Sequence, residues 1–290
     1  MMKRYGLVNG TWGDVICGLG YFQREFPEGG NIIYYGSVKY ISEFLSAQSF
    51  IHDLVCIEPR TYEDYSETLQ LLWHPEHVDE GVARVLAGSR ITKDQVVNTT
   101  VKFDFAREYE TENLPVASHL QIPDHASDWA ADFARNLGRP FYILQPYSIN
   151  TVGERSHYPY WRDVIEWIVR DKSKHFVIVG RGWPASIYEG FENVTNLVDK
   201  APTMSHVFGL SNHSAGVITT SNSLAHWCVS QSISTACIAT MRSSEPTHFF
   251  HRILKGDHIT VFGYYNKVMP ILFHLRERWS IWPTNADTRY

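Results

Sequence analysis

A chain of 290 residues with 44% hydrophobic and 20% charged side chains is long enough for one large domain or two medium ones, and its composition excludes a disordered or fibrous protein. The formal net charge of -5 excludes a protein that grips nucleic acid through its overall charge. The charge is uneven, with 12 Lys+Arg against 20 Asp+Glu in residues 1–140 and 14 against 11 in residues 141–290, which marks two regions with different tasks. Cys17, Cys56, Cys228 and Cys237 form no C-x-x-C pair, and each lies in an apolar stretch; this reads as reduced, buried thiols in a cytoplasmic protein. No run approaches the roughly 18 apolar residues of a membrane span, and Asn9, Thr11 and Asp14 interrupt what a signal peptide would need.

In chain order, Arg4–Val8 reads as a short strand, followed by Gly10, Gly13, Gly18 and Gly20 and a helix over Val15–Phe26 that stops at Pro27 and Gly29-Gly30. Asn31–Tyr35 is a buried-looking strand, Val38–Ser46 a helix and Asp53–Ile57 another strand, the alternation of a parallel α/β sheet. From Glu58 to about Asp132 the pattern weakens: one helix ends at Gly88, Val96–Phe105 alternates enough for one or two strands, and polar Glu108–Asp128 suits a connection. A boundary near residue 135 gives domains 1–135 and 136–290. In the second half, strands are expected at Phe141–Leu144, Phe176–Gly180, Gly216–Thr220, Thr235–Ala239 and Ile259–Phe262. A helix carries Trp161, Val164, Ile165, Ile168 and Val169 on one stripe, and further helices lie near Met204–Leu210 and Ser223–Ser230. The expected fold is therefore α/β, with two Rossmann-like doubly wound domains facing a cleft.

Three segments are placed to do chemistry. Gly13 and Asp14 open the first helix after the first strand, a helix-N-terminal site for an anion or substrate, although an Asp there also serves as a plain cap. The spacing is not G-x-G-x-x-G and the Asn31–Tyr35 strand ends without a ribose-binding carboxylate, so a dinucleotide site is not expected. The loop after Leu144 carries Ser148, Arg155 and His157, groups that suit a phosphate ester, or a solvated turn. The strand Gly216–Thr220 runs into Ser221, Asn222 and Ser223 at a helix start, with His226 one turn in; the free N–H groups there favour a diphosphate, while a capped helix with a half-buried histidine is the plain alternative.

Together these segments resemble the GT-B glycosyltransferases, specifically the ADP-heptose:lipopolysaccharide heptosyltransferase family (glycosyltransferase family 9), over most of the chain. Gly13-Asp14-Val15 matches the family's G-D-V/I motif, Phe22–Pro27 and Phe50–Val55 echo the helix and strand that follow, and Tyr158-Pro159 stands at the W-P place. The strand ending at Gly180-Arg181 and the stretch Asn196–Leu210 match the nucleoside side, and D-S-G-x-x-H appears as Ser221-Asn222-Ser223-Leu224-Ala225-His226. The resemblance implies an inverting transfer in which Asp14 takes the proton of an acceptor hydroxyl. It also implies a nucleotide-sugar donor held by Gly13, Ser148, Arg155, His157, Gly180, Arg181, Ser221, Asn222, Ser223 and His226. No D-x-D occurs in the sequence, so neither a metal nor another cofactor is expected beyond the donor itself. The setting implied is the cytoplasm of a bacterium or of a phage-infected host.

The acceptor is a saccharide or, alternatively, hydroxymethylated DNA of the phage type. The second option draws on His248, His251, Arg252, Lys255, His258, Lys267, Arg276 and Arg278 as a basic, aromatic-interleaved surface. Two other classes stay open: a non-catalytic nucleotide-sugar-binding protein, and a metal hydrolase built on His74–His77 and His248–His251 sharing helix faces.

Overall fold

The computed structural model describes residues 3–36, 39–74, 76–100, 116–147, 158–183, 185–239, 257–263 and 266–281. The chain divides into two compact units, Met1–Pro123 and Asp124–Tyr290. In the first, β1 (Tyr5–Asn9), β2 (Gly30–Tyr35), β3 (Ile51–Ile57) and β4 (Val96–Asn98) form an all-parallel sheet in the order β3-β2-β1-β4. Its helices are α1 (Trp12–Glu25), α2 (Lys39–Ser46), α3 (Tyr62–Trp73) and α4 (Val78–Val85).

Alternation along β1 sorts its side chains between the two faces. Tyr5 and Leu7 join Ile33 and Tyr35 of β2 and Leu72, Val82 and Val85 of α3 and α4 in one cluster. On the other face Gly6 lies directly under Phe22 of α1, and Gly18 of α1 lies against Val8. A side chain on Gly6 would collide with Phe22, so its absence sets how closely α1 packs.

The second unit begins with α5 (Asp124–Leu137), so the boundary expected near residue 135 falls within a helix. Its sheet contains β5 (Phe141–Gln145), β6 (His175–Ile178), β7 (Val194–Asn196), β8 (Gly216–Thr220), β9 (Thr235–Ile238) and β10 (Ile259–Phe262). All are parallel, in the order β10-β9-β8-β5-β6-β7. Counted from β5 this is 3-2-1-4-5-6, the Rossmann order, with its reversal between β5 and β8. The helices are α6 (Trp161–Ile168), α7 (Met204–Asn212), α8 (Ser223–Ser230) and α9 (Val268–Trp279). The expected stripe Trp161, Val164, Ile165 and Ile168 is wholly buried.

Several expectations change. The first helix starts at Trp12, three residues early, because Thr11 caps it. Helices α3, α5 and α9 stand where no helix was expected, and the part of Val96–Phe105 beyond residue 100 lies outside the described residues. Cys56 is exposed rather than buried because β3 is an edge strand and its neighbour covers only one side. His74 ends α3 and His77 precedes α4, so the two flank a turn instead of sharing a helix face. Of the described aromatic residues in the C-terminal stretch, Trp279 stacks on Tyr142 at 5.5 Å and His274 meets Phe262 at 5.3 Å, whereas Phe273 is 61% exposed. His248, His251, Arg252 and Lys255 lie outside the described residues.

In the second unit Phe208 of α7 stacks on Trp227 of α8, centroids 4.8 Å apart and planes 10° apart, both rings fully buried. Phe208→Ala is expected to cost about 3–5 kcal/mol in the unfolding transition of that unit, read from the shift of its urea midpoint.

Candidate functional site

In each sheet the chain reverses direction beside the first strand, and the crevice at the carboxyl ends of the strands there is where α/β sheets bind ligands. In the first unit that place is the end of β1. Gly10 follows β1 with φ +91°, a left-handed conformation natural only to glycine. A Cβ at Gly10 would stand 2.5 Å from both Cβ and Oδ2 of Asp14, so the carboxylate occupies the space a side chain would need.

Asp14 is the third residue of α1, and Thr11, not Asp14, is the N-cap. The two form a capping box: Asp14 Oδ2 accepts the Thr11 backbone N–H at 2.9 Å and the Thr11 hydroxyl at 3.0 Å, and the Thr11 side chain takes the Asp14 N–H. Burial raises the carboxyl above the usual range, against the hydrogen bonds from the Thr11 N–H, the Thr11 hydroxyl and Asp14's own N–H, which pull it down. Desolvation wins, which gives a carboxylate more basic than a solvated one and fixed in orientation. Gly13 sits between cap and carboxylate in the first turn.

Two tyrosines approach the backbone of Gly10. The Tyr34 hydroxyl donates to the Gly10 carbonyl at 3.3 Å. Tyr65 of α3 is raised well above its ordinary value by burial, then by the Asp14 and Tyr35 charges, while the Gly10 N–H donating toward its oxygen works the other way. Asn9, the last residue of β1, is 1% exposed, and its Nδ2 has no hydrogen-bond partner among the described residues. Leaving such a donor unpaired costs about 1–3 kcal/mol, so its retention asks for a reason.

In the second unit the corresponding place joins β5 to β8 and α8. Asn222 is the N-cap of α8; its Oδ1 accepts from Leu224 N at 2.9 Å and Ala225 N at 3.3 Å, and its Nδ2 donates to Gln145 Oε1 at 3.1 Å. Two of the N–H groups expected to meet a diphosphate are thus already satisfied, leaving the Ser223 N–H and the helix dipole. Ser221 and Asn222 are 7% and 8% exposed, and Ser223 is half-buried. His226, expected to face the anion, is 1% exposed, inside the unit.

Gly180 ends the β6 segment with φ +135°, its carbonyl accepting from Asp199 N at 3.0 Å. Arg181 is exposed and donates to the Pro202 carbonyl at 3.4 Å. Trp183 packs between Tyr147 at 5.1 Å and Tyr188 at 6.4 Å. The structure therefore groups Gly13 with Asp14, Ser221 with Asn222, Ser223 and His226, and Gly180 with Arg181; Ser148, Arg155 and His157 lie outside the described residues. Among the described residues no group of three or more His, Cys, Asp or Glu is placed to hold a metal ion, and no helix is long and apolar enough to cross a membrane.

Two Rossmann-like units in tandem are the architecture of the GT-B glycosyltransferases. Solved structures of that kind match nearly the whole chain. A glycosyl transferase family 9 protein from Veillonella parvula has TM-score 0.59 at 14% identity, covering 99% of this chain and 91% of its own. The E. coli ADP-heptose LPS heptosyltransferase II has TM-score 0.61 at 13% identity, with 90% of each chain covered. E. coli heptosyltransferase WaaC, solved with ADP, has TM-score 0.57 at 11% identity, covering 95% of this chain and 99% of its own. The chain has their fold, as the sequence resemblance implied. No family model matches the sequence, and no curated protein matches it either.

Asn9, Gly10, Tyr65 and Gln145 were not among the expected site residues. Asn9 had a signal: it continues the inward alternation Tyr5, Leu7 with an amide where an apolar residue belongs. Two outcomes are expected. A raised folded-state pKa means that Asp14's charge costs stability once pH exceeds that pKa, and that the cost vanishes below the unfolded value. Asp14→Asn should therefore melt at or above the wild type at neutral pH, the difference shrinking as pH falls through the acid range. Asn222→Ala should lose about 0.5–2 kcal/mol in urea unfolding, through the lost cap alone.

Proposed function

We propose that this chain is an inverting, metal-independent glycosyltransferase that moves a sugar from a nucleotide-sugar donor to an acceptor hydroxyl, with Asp14 as general base. The observation that carries the reading is Asp14 itself: a carboxylate held by Thr11, pressed on Gly10 and made more basic by burial, at the reversal point of a fold shared with family 9 transferases. As the acceptor oxygen forms its bond to the anomeric carbon, its proton passes to Asp14, and the bond from that carbon to the diphosphate oxygen breaks on the opposite face.

The donor belongs to the second unit in this reading. The start of α8, with Ser221, Asn222 and Ser223, offers the partial positive charge of a helix end to the leaving diphosphate, and Arg181 adds a cation at the end of the β6 segment. Arg155, His157 and Ser148 complete the donor set by sequence position, and the absence of D-x-D from the sequence supports charge stabilisation without a carboxylate-held metal. His226, buried behind the helix start, would support the site from within. The reduced-thiol reading of the cysteines would place the protein in the cytoplasm.

Related structures were solved with ADP and with ADP-2-deoxy-2-fluoro heptose, so ADP is the first nucleotide to try, followed by UDP, GDP and CMP. Thermal unfolding with each, for the wild type and Asp14→Ala, is the test. At one hundred times its dissociation constant the correct ligand should stabilise by ~2.7 kcal/mol, raising Tm by several degrees in both proteins. Sugar release from the matching donor should then be lost in Asp14→Ala alone. Binding without any turnover by the wild type would favour a nucleotide-sugar-binding protein, a reading supported by Asn222's being committed to its cap and to Gln145. No shift with any nucleotide would overturn the glycosyltransferase reading.

A further inference from the structure

Helices α6 and α9 of the second unit share one hydrophobic core: Val164, Ile165 and Ile168 of the first pack in the same cluster as Ile271, Leu272 and Leu275 of the second. Their outer flanks do not close on each other. Between them lies a groove of about 300 Å³, lined by Tyr160, Asp163 and Trp167 on the α6 side and by Lys267, Met269 and Leu272 on the α9 side. Met269 is 59% exposed, Tyr160 48%, and Phe273, one turn beyond Met269, 61%. Residues four apart on a helix form one stripe, so Met269 and Phe273 make a ridge along the edge of the groove. A contiguous apolar ridge beside an apolar groove differs from the singly exposed residues of an ordinary surface, and marks a contact face.

Shape and charge together say what covers it. The face carries both a ridge and a groove, so it is complementary in outline to itself. Its groove has one charge of each sign, Asp163 on the α6 wall and Lys267 on the α9 wall. Arg162 is bonded to Glu166 at 2.6 Å and Arg276 lies 3.5 Å from Glu277, whereas Asp163 and Lys267 enter no ion pair among the described residues. An anionic bilayer would attract Lys267 and repel Asp163, and a strongly charged partner of either sign meets the same conflict. A second copy of the face uses both charges. A twofold axis running along the groove lays α6 of each copy on α9 of the other. Asp163 then meets the partner's Lys267 twice over, and each Met269–Phe273 ridge lies against the Tyr160 and Trp167 wall opposite.

We propose that the α6–α9 face is the interface of a homodimer, in which the two helices of one copy pair crosswise with those of the other. The proposal stands apart from the reaction assigned to Asp14. It explains why α9, whose inner side is packed into the core, turns a methionine and a phenylalanine outward.

Sedimentation velocity of the full-length protein over a concentration series tests it, and a reversible, concentration-dependent dimer is expected. Phe273→Glu alters an exposed side chain, so Tm should hold while dimerisation weakens by about tenfold or more. Met269→Lys repeats the test at the other exposed position if Phe273→Glu lowers Tm. Asp163→Lys or Lys267→Glu alone sets like charges against each other across the interface and should weaken the dimer several-fold. The two together restore opposite charges and the wild-type association, a rescue that damage to either helix would not give. A wild type that stays monomeric at every concentration would overturn the proposal, as would a dimer undiminished in both Phe273→Glu and Met269→Lys. Charge variants that add without rescue would overturn the crosswise pairing. A monomer that dimerises only after removal of residues 282–290 would assign the groove to the segment following α9. A monomer that sediments with phosphatidylglycerol vesicles, and no longer does so as Phe273→Glu, would assign it to a bilayer. Each of those two results overturns the second copy.

Discussion

The carboxylate of Asp14 turns back over the first turn of α1 to hold the Thr11 N–H and hydroxyl, and it fits there because Gly10 presents no side chain. Each element near it depends on that contact. Gly10 must adopt positive φ for the chain to leave β1 and enter the helix; its carbonyl is then presented to Tyr34 and its N–H toward Tyr65. The cost of burying a charge is set against three hydrogen bonds and a helix N-terminus, and burial still dominates.

The second unit solves a related problem with neutral groups. Asn222 caps α8 through its oxygen and fastens β5 through its nitrogen, so one side chain ties the helix start to the strand across the chain reversal. Thr219 adds a bond from its hydroxyl to the Gln145 carbonyl at 3.2 Å. The end of this sheet is preformed by hydrogen bonds, and the end of the first sheet by a charge and a glycine. Acidic and nearly neutral halves of one sequence therefore differ in local construction as well as in net charge.

Much of this was legible in the residues. Strands with β-branched and aromatic runs, such as Asn31–Tyr35 and Gly216–Thr220, and helices with clean stripes or hydroxyl caps, such as α6 and α8, are written in local chemistry. The helices that escaped notice lack that signature: α3 mixes tyrosines with acids, α5 buries chiefly Ala126 and Ala130, and α9 has Pro270 in its first turn and leaves the apolar Met269 and Phe273 exposed. At the site, Gly13-Asp14 and Ser221–His226 were visible as helix starts. What the sequence could not carry was depth: that His226 is sealed inside, that Thr11 takes the capping role, and that the Asn9 side chain is buried at the end of β1, are products of tertiary packing.

The order of the second sheet also bears on how the chain is made. Its central strand β5 pairs on one side with β6, but on the other with β8, Tyr142 lying opposite Gly216. During synthesis at about 5–20 residues per second, that second edge of β5 waits roughly 4–15 s for its partner. For that interval a run of Phe, Tyr, Ile and Leu presents an unpaired parallel edge to whatever is nearby. The same wiring that builds the crevice leaves this edge open until β8 is made, and a translational pause placed between β6 and β8 would lengthen the exposure.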